Sequence, residues 1–312
     1  MTEGNRQDVL SALAPLLRIR PRLEDFCHFG GHWTAEHEAE ARGWAAFHIV
    51  TRGRCEVERV GHPPLQLEAG DILLLPHGDA HVVRSVTVTG PTGARIDTRH
   101  VNALKFKDTV GVESDTELVC GALHFEAASE SLIVAALPDV IVLKPSQLDG
   151  ANRFAPIVYA IRDELEALAP GAEAIAANLA TAIFVMMLRM HLEASAPANG
   201  LLRLLAERQT AQAALAILRA PEHDWTLEDL AAVAGASRAT LVRAFRRATG
   251  AAPLAFVADH RLNLAHQALR TSELTLAQIA ADVGYSAEGA LSRAFLKRFG
   301  IRPGEVRRGA RR

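Results

Sequence analysis

Arg243 and Arg293 fall at matching positions in two stretches, 225–253 and 274–303, that repeat one pattern. An arginine on the outer face of a short helix presents a planar fork of donors that fits the O6 and N7 edge of guanine, so the chemistry in view is readout of DNA bases. Around the two arginines, Leu227/Leu276, Leu230/Ile279, Ala231/Ala280 and Gly235/Gly284 recur 49 positions apart. After one inserted residue, Leu241/Leu291, Phe245/Phe295, Gly250/Gly300 and Pro253/Pro303 recur 50 apart. Core, turn and exit positions repeat together, which defines two helix–turn–helix units. A solvated helix face accounts for any single arginine, but not for the doubled frame.

The elements that must position these residues can be read in turn. In the first unit Thr226 and Asp229 have capping-box spacing, Gly235 permits a tight turn, and Ser237 caps the second helix. Leu241, Ala244 and Phe245 are spaced to face inward, which leaves Ala239, Val242, Arg243 and Arg246 outward. Ser237, Arg238, Ala239, Thr240, Val242, Arg243, Arg246 and Arg247 are the candidate DNA-binding residues of this unit. Arg238, Arg246 and Arg247 are assigned to phosphates and Arg243 to base edges. In the second unit Ala287 stands where a capping Ser is expected, and Gly289 lies in the first turns at a cost of about 1 kcal/mol relative to Ala. Its candidate contacts are Glu288, Ser292, Arg293 and Lys297, and the small outward residues favour affinity over specificity. Between the units, residues 253–270 form one connecting helix with Phe256, Val257, Leu262, Ala265 and Leu269 buried.

The runs 237–253, 261–269, 279–285 and 291–307 resemble the AraC/XylS family of bacterial transcription regulators, over roughly residues 205–308. The resemblance implies two helix–turn–helix units on a long connecting helix, promoter DNA as ligand, and activation by placing RNA polymerase. Departures are Ala287 at the cap, Leu291 where Phe is common and Val306 where Tyr is common.

Upstream, short β-type runs at 44–50, 55–60, 72–76, 81–88, 118–125 and 140–143 alternate with Gly and Pro turns, as in an antiparallel sandwich or barrel. Residues 90–114 are polar and read as a long connection. From residue 152 the period turns helical, giving helices to about 168 and over 174–193. This hairpin (152–193) covers the β domain or forms a homodimer interface, and both roles are compatible. The domains expected are a regulatory domain at 8–195, a linker at 196–204 and a DNA-binding domain at 205–308. The class is α+β: a β-barrel with two covering helices, then an all-α double helix–turn–helix domain.

Residues 70–81 match the spacing G-x5-P-x-G-x2-H and resemble the second motif of cupin barrels. Through that resemblance a divalent metal is implied, with His48, His77, His81 and His124 as candidate ligands, although the paired histidines of a first motif are missing. Cys27 and Cys120 lie in surroundings similar to regulators in the branch of the AraC family with a cupin-type N-terminal domain that respond to reactive chlorine or other oxidants. That resemblance implies redox sensing. The alternative is three inert core thiols, since Cys27, Cys55 and Cys120 are too few for a disulfide framework.

Charge separates along the chain. Residues 201–312 carry a surplus of seven positive charges and the preceding 200 a surplus of nine negative ones, as suits DNA binding by the C-terminal third alone. The longest apolar run, 180–188, is too short to span a bilayer, and no signal-peptide pattern opens the chain. A cytoplasmic protein without membrane partners is expected. The leading reading is a transcription regulator, not an enzyme, controlled by an oxidant or small-molecule effector. A metal-dependent cupin enzyme fused to a DNA-binding module is the alternative, and a ligand-free architectural protein a third.

Overall fold

The computed structural model describes residues 11, 19–41, 43–86, 95–125, 134, 137–147, 153–194 and 200–310. The chain divides into two compact units near the end of the long helix at 172–194, one holding Ile19–Glu126 and Leu137–Met190, the other His191–Arg312.

The first unit contains eleven described strands: β1 Ile19–Phe29, β2 Thr34–His37, β3 Trp44–Arg52, β4 Arg54–Arg59, β5 Leu65–Glu68, β6 Ile72–Leu75, β7 His81–Ser85, β8 Ile96–Val101, β9 Leu104–Thr109, β10 Thr116–Phe125 and β11 Ile141–Leu143. They form a seven-stranded sheet, β11-β6-β3-β10-β1-β9-β8, and a four-stranded sheet, β2-β7-β4-β5. All pairings are antiparallel except β1 with β9. The core lies between the sheets, built of Cys27, Phe29, Val50, Leu118 and Cys120 from one and Cys55, Val57, Leu67 and Val83 from the other.

Strand β3 is buried on both faces, which is why it reads as an unbroken apolar run. Its even-numbered residues, Ala46, His48 and Val50, share the face that lines the inter-sheet core. Phe47 and Ile49 on the other face meet the helix α2, introduced below. Register in the central pair depends on Gly121 of β10. A Cβ there would stand 2.3 Å from the Arg22 carbonyl and 2.8 Å from the Phe47 ring, beside the bulge at Leu23/Asp25. No side chain fits.

Two helices follow, α1 Ala155–Ala167 and α2 Ala172–Ala194. Within the 23-residue helix α2, Ala172–His191 is long and apolar enough to cross a membrane by length and composition. This corrects the expectation drawn from the shorter run at 180–188. Ala176, Ala180, Ile183, Phe184, Met187 and Leu188 are nonetheless buried, and several of them face Phe47, Ile72, Leu74 and Leu123 of the large sheet. Ile175 is 45% exposed.

Two further expectations are corrected. The supposed connection at 90–114 contains the hairpin β8–β9, closed by Asn102 and Ala103 with Asn102 at φ 55. Leu104 and Phe106 alternate inward in β9, but Asp97, Thr98, Arg99 and His100 of β8 are exposed and give that strand no apolar period. The linker assigned to 196–204 is helical in its second half: α3 Gly200–Ala206 buries Leu201, Leu202, Leu204 and Leu205. The domain start at residue 8 and the segment 195–199 lie outside the described residues.

The second unit continues with α4 Arg208–Arg219, α5 Leu227–Ala234, α6 Arg238–Thr249, α7 Pro253–Thr271, α8 Leu276–Asp282, α9 Glu288–Phe299 and α10 Pro303–Ala310. Helix α7 buries Phe256, Val257, Leu262, Ala265 and Leu269, as its spacing predicted.

Candidate nucleic-acid interface and sensor cluster

The first helix–turn–helix is α5–α6. Thr226 accepts from the Asp229 amide at 3.1 Å while Asp229 accepts from the Thr226 amide at 3.2 Å, closing the expected capping box. Ser237 caps α6 by accepting from the Thr240 amide at 3.2 Å. Leu241, Ala244 and Phe245 are buried; removing a ring such as that of Phe245 costs about 3–5 kcal/mol in a typical core. Ser237, Arg238, Ala239, Arg243, Arg246 and Arg247 are exposed, with Thr240 and Val242 half-buried beside them.

The arginines differ in their partners. Arg238 pairs with Glu228, and Arg247 with Glu207 at 2.6 Å. Exposed pairs of this kind contribute at most about 1 kcal/mol, so a phosphate can displace either carboxylate. Arg243 donates to the Thr240 hydroxyl at 3.3 Å, which holds the guanidinium along the helix face without neutralising it.

In the second unit, α8 starts with a capping box that sequence reading overlooked: Thr275 accepts from the Gln278 amide at 3.2 Å and Gln278 accepts from the Thr275 amide at 2.8 Å. The signal was present as Thr-x-x-Gln. Helix α9 begins at Ala287 with no side-chain cap, as expected. Glu288, Arg293 and Lys297 are exposed and Ser292 is half-buried. Arg298 is tied to Asp259 of α7.

Arg261 of α7 joins the two units. Its Nε donates to the Pro221 carbonyl at 2.6 Å and its Nη2 to the His223 carbonyl at 2.7 Å, both just ahead of α5. Its Nη1 donates to the Gly284 carbonyl at 3.0 Å, in the turn of the second unit. Gly284 has φ +81, and a Cβ there would meet the Glu222 carbonyl at 2.7 Å and Arg261 Nη2 at 2.8 Å. The clamp closes only over glycine.

A second group of polar side chains gathers inside the β domain. His48 of β3 and Cys120 of β10 are register partners, as are His37 of β2 and His81 of β7. His48 Nδ1 lies 3.0 Å from Cys120 Sγ, and His48 Nε2 lies 2.6 Å from His81 Nε2. The ring centroids of His37, His48 and His81 are each 4.8 Å from the other two. His81 Nδ1 stands 2.7 Å from the Asp79 carbonyl and must donate to it. His81 Nε2 is then an acceptor, His48 Nε2 donates, and His48 Nδ1 accepts from the Cys120 thiol. Burial pushes His37 down to about 4 and holds His48 well below the ordinary histidine range; it lowers His81 as well. All three rings are therefore neutral.

Cys27 of β1 is one diagonal step from Cys120 across the β1–β10 pair. The Cys27 thiol beside it, then burial, raises the Cys120 thiol well above the ordinary range, and burial brings Cys55 up to about 12. Lys107 donates to Asp25 at 2.6 Å next to the pair.

The structure thus brings together His48 and His81 of the histidines named from sequence, adds His37, and leaves out His77 and His124. His77 lies 3.7 Å from Asp139, and His124 packs on Trp44 with centroids 4.6 Å apart. His124 is four strand residues from Cys120, about 13 Å at the usual strand rise. No local motif marked His37, whose neighbours come from other strands.

A β-sheet domain followed by two helix–turn–helix units on one connecting helix defines a DNA-binding transcription regulator. The cupin family model matches residues 8–193 and a helix-turn-helix domain model matches 230–309. A putative AraC-like transcription regulator of Streptomyces lividans is 33% identical over 304 residues, covering 96% of this chain and 98% of its own length. One from Streptomyces antibioticus is 31% identical with the same coverage. The RCS-specific HTH-type transcriptional activator RclR of Escherichia coli (strain K12) is 26% identical over 301 residues, covering 96% of this chain and 97% of its own. The chain belongs to the AraC family of transcription regulators, in the branch with an N-terminal cupin domain.

Proposed function

We propose that this regulator activates transcription in response to an oxidant acting on Cys27 and Cys120. The observation that carries the reading is the meeting of these two thiols across β1 and β10, together with the likeness to an RCS-specific activator. Hypochlorous acid is a fitting oxidant because it is small, neutral and able to reach thiols that are 2% and 3% exposed. The two cysteines give up two protons and two electrons and form one S–S bond. Hypochlorous acid takes the electrons, leaving chloride, water and one proton. Diagonal sheet neighbours have Cα atoms about 7–8 Å apart, beyond the usual disulfide span, so the bond would drag β1 against β10 beside its bulge. That displacement is the signal.

In this reading Arg243 reads bases, while Arg238, Arg246, Arg247 and Lys297 hold phosphates. Ser237, Ala239, Thr240, Val242, Glu288, Ser292 and Arg293 line the rest of the contact. The protein acts in the cytoplasm on double-stranded promoter DNA, recruits RNA polymerase, and catalyses no reaction of its own. It forms a homodimer through α1 and α2, whose outer faces leave Tyr159 50% and Ile175 45% exposed.

The test is a reporter driven by the promoter that the protein binds, with hypochlorite added. Induction should be lost in Cys27→Ser and in Cys120→Ser, with resting DNA affinity unchanged. A full response in both variants ends the redox reading, and a monomer at micromolar concentration ends the dimer.

A further inference from the structure

We propose that Arg59 is the receptor for a small monovalent oxyanion, of the formate or acetate class, at one end of the β-domain interior. Arg59 closes β4, along which Cys55, Val57 and Arg59 are the buried residues. Cys55 and Val57 belong to the inter-sheet core, so Arg59 shares the face that lines it. Arg59 is 8% exposed, and its Nε and Nη1 are buried with no hydrogen-bond partner. It takes part in no ion pair among the described residues.

The β domain pairs its other buried charges. Among the described residues, Asp25 is bound by Lys107 at 2.6 Å and Asp71 faces Lys144 at 3.7 Å. Glu117 is held between Arg52 at 2.9 Å and Arg162 at 3.0 Å. Arg59 is the exception. A guanidinium is a permanent cation, and a buried charge without a counter-charge is strongly destabilising. Its register partner on β7, His81, does not supply what is missing. His81 Nδ1 donates to the Asp79 carbonyl and Nε2 accepts from His48, so the neutral ring has neither charge nor acceptor left. Glu56 and Glu58, on the other face of β4, are engaged by Arg84. The counter-charge is therefore assigned to a ligand.

The surroundings set that ligand's chemistry. One unpaired cation beside neutral rings calls for a single negative charge, because a dianion would bury a charge of its own uncompensated. Orphaned N–H groups on a planar fork select oxygen acceptors. The preceding inward pair on β4 and β7, Val57 and Val83, is fully buried, so the interior beyond Arg59 is closed and the ligand has only a few heavy atoms. Entry is from the rim, where the next residue, Val60, is 95% exposed. The site goes beyond the oxidant reading and does not rest on it, since neither thiol takes part.

The test uses the full chain in a buffer free of carboxylates and halides, to which each salt is added in turn. Formate and acetate should raise the thermal midpoint saturably, whereas chloride and sulfate at equal ionic strength should not. Arg59→Met should abolish the rise. Arg59→Lys, which keeps the charge and loses the planar fork, should weaken acetate affinity at least tenfold. Arg84→Met, on the outer face of the same sheet, and Cys27→Ser should respond as wild type does. Where Arg59→Met fails to fold, Arg59→Lys and the wild-type salt series decide. Wild type that responds to acetate no more than to chloride overturns the proposal. So does a saturable response kept in folded Arg59→Met, lost in folded Arg84→Met, or equalled by sulfate. None of these readouts needs DNA or oxidant, so a failed hypochlorite response leaves them intact.

Discussion

The two helix–turn–helix units share a frame and differ in finish. Both support helices, α5 and α8, begin with complete capping boxes. Of the two recognition helices, only α6 has a side-chain cap. Helix α6 places exposed Arg243, Arg246 and Arg247 on its surface, whereas α9 opens with Glu288 and Gly289 before Arg293. Buried and turn residues repeat between the copies and the outward-facing residues differ.

The largest effect should come from the joint that both copies share. Arg261→Ala leaves three carbonyls without their donor and should weaken operator binding at least thirtyfold while each unit keeps its helix content. Anisotropy with labelled duplex and far-ultraviolet circular dichroism check this together, and an affinity within threefold of wild type would remove the clamp from the account.

Next in size is the split between the readers. Arg243→Ala should cost about 1–3 kcal/mol on the specific site and flatten discrimination against a scrambled duplex. Arg293→Ala should cost less than half as much and mainly reduce the salt slope. Equal losses in the two variants would make the units equivalent readers.

His260 tests the seam between them by pH. It is 2% exposed, has neither ring nitrogen partnered, and burial lowers it to about 4. The unfolded chain therefore takes up a proton first as pH falls. Stability is complete above about 6.5 and declines toward pH 4, by at most about 3 kcal/mol. Urea titrations from pH 7.5 to 4.5 should show this slope, and His260→Leu should make it shallower while the share of His37, His48 and His81 remains.

The smallest effect concerns the caps. Ser237→Ala should destabilise by about 1 kcal/mol, and Ala287→Ser should stabilise by a few tenths to 1 kcal/mol, because Ala287 already has the extended φ −158, ψ 151 that a capping residue needs. A thermal melt of each variant measures the pair, and a loss of stability in Ala287→Ser would contradict the missing-cap explanation.

Legibility in the sequence followed the range of the interaction. Ser237, the first capping box and the buried face of α7 are local, and spacing alone placed them. The β8–β9 hairpin was hidden because Asp97, Thr98, Arg99 and His100 leave β8 polar and exposed, with no apolar alternation to pair with that of β9. His124 was chosen by residue type, yet strand rise carries it away from Cys120. His37 joins the cluster through a β2–β7 pairing that brings distant segments into register, and no nearby residue announces it.

The Arg261 clamp makes the DNA-binding unit a caliper with a set opening. Each added base pair lengthens a duplex by about 3.4 Å and turns it by about a tenth of a revolution. An operator with both half-sites intact but one base pair inserted between them would present the second groove at the wrong height and angle. For this protein, the distance between words in a promoter should matter as much as their spelling.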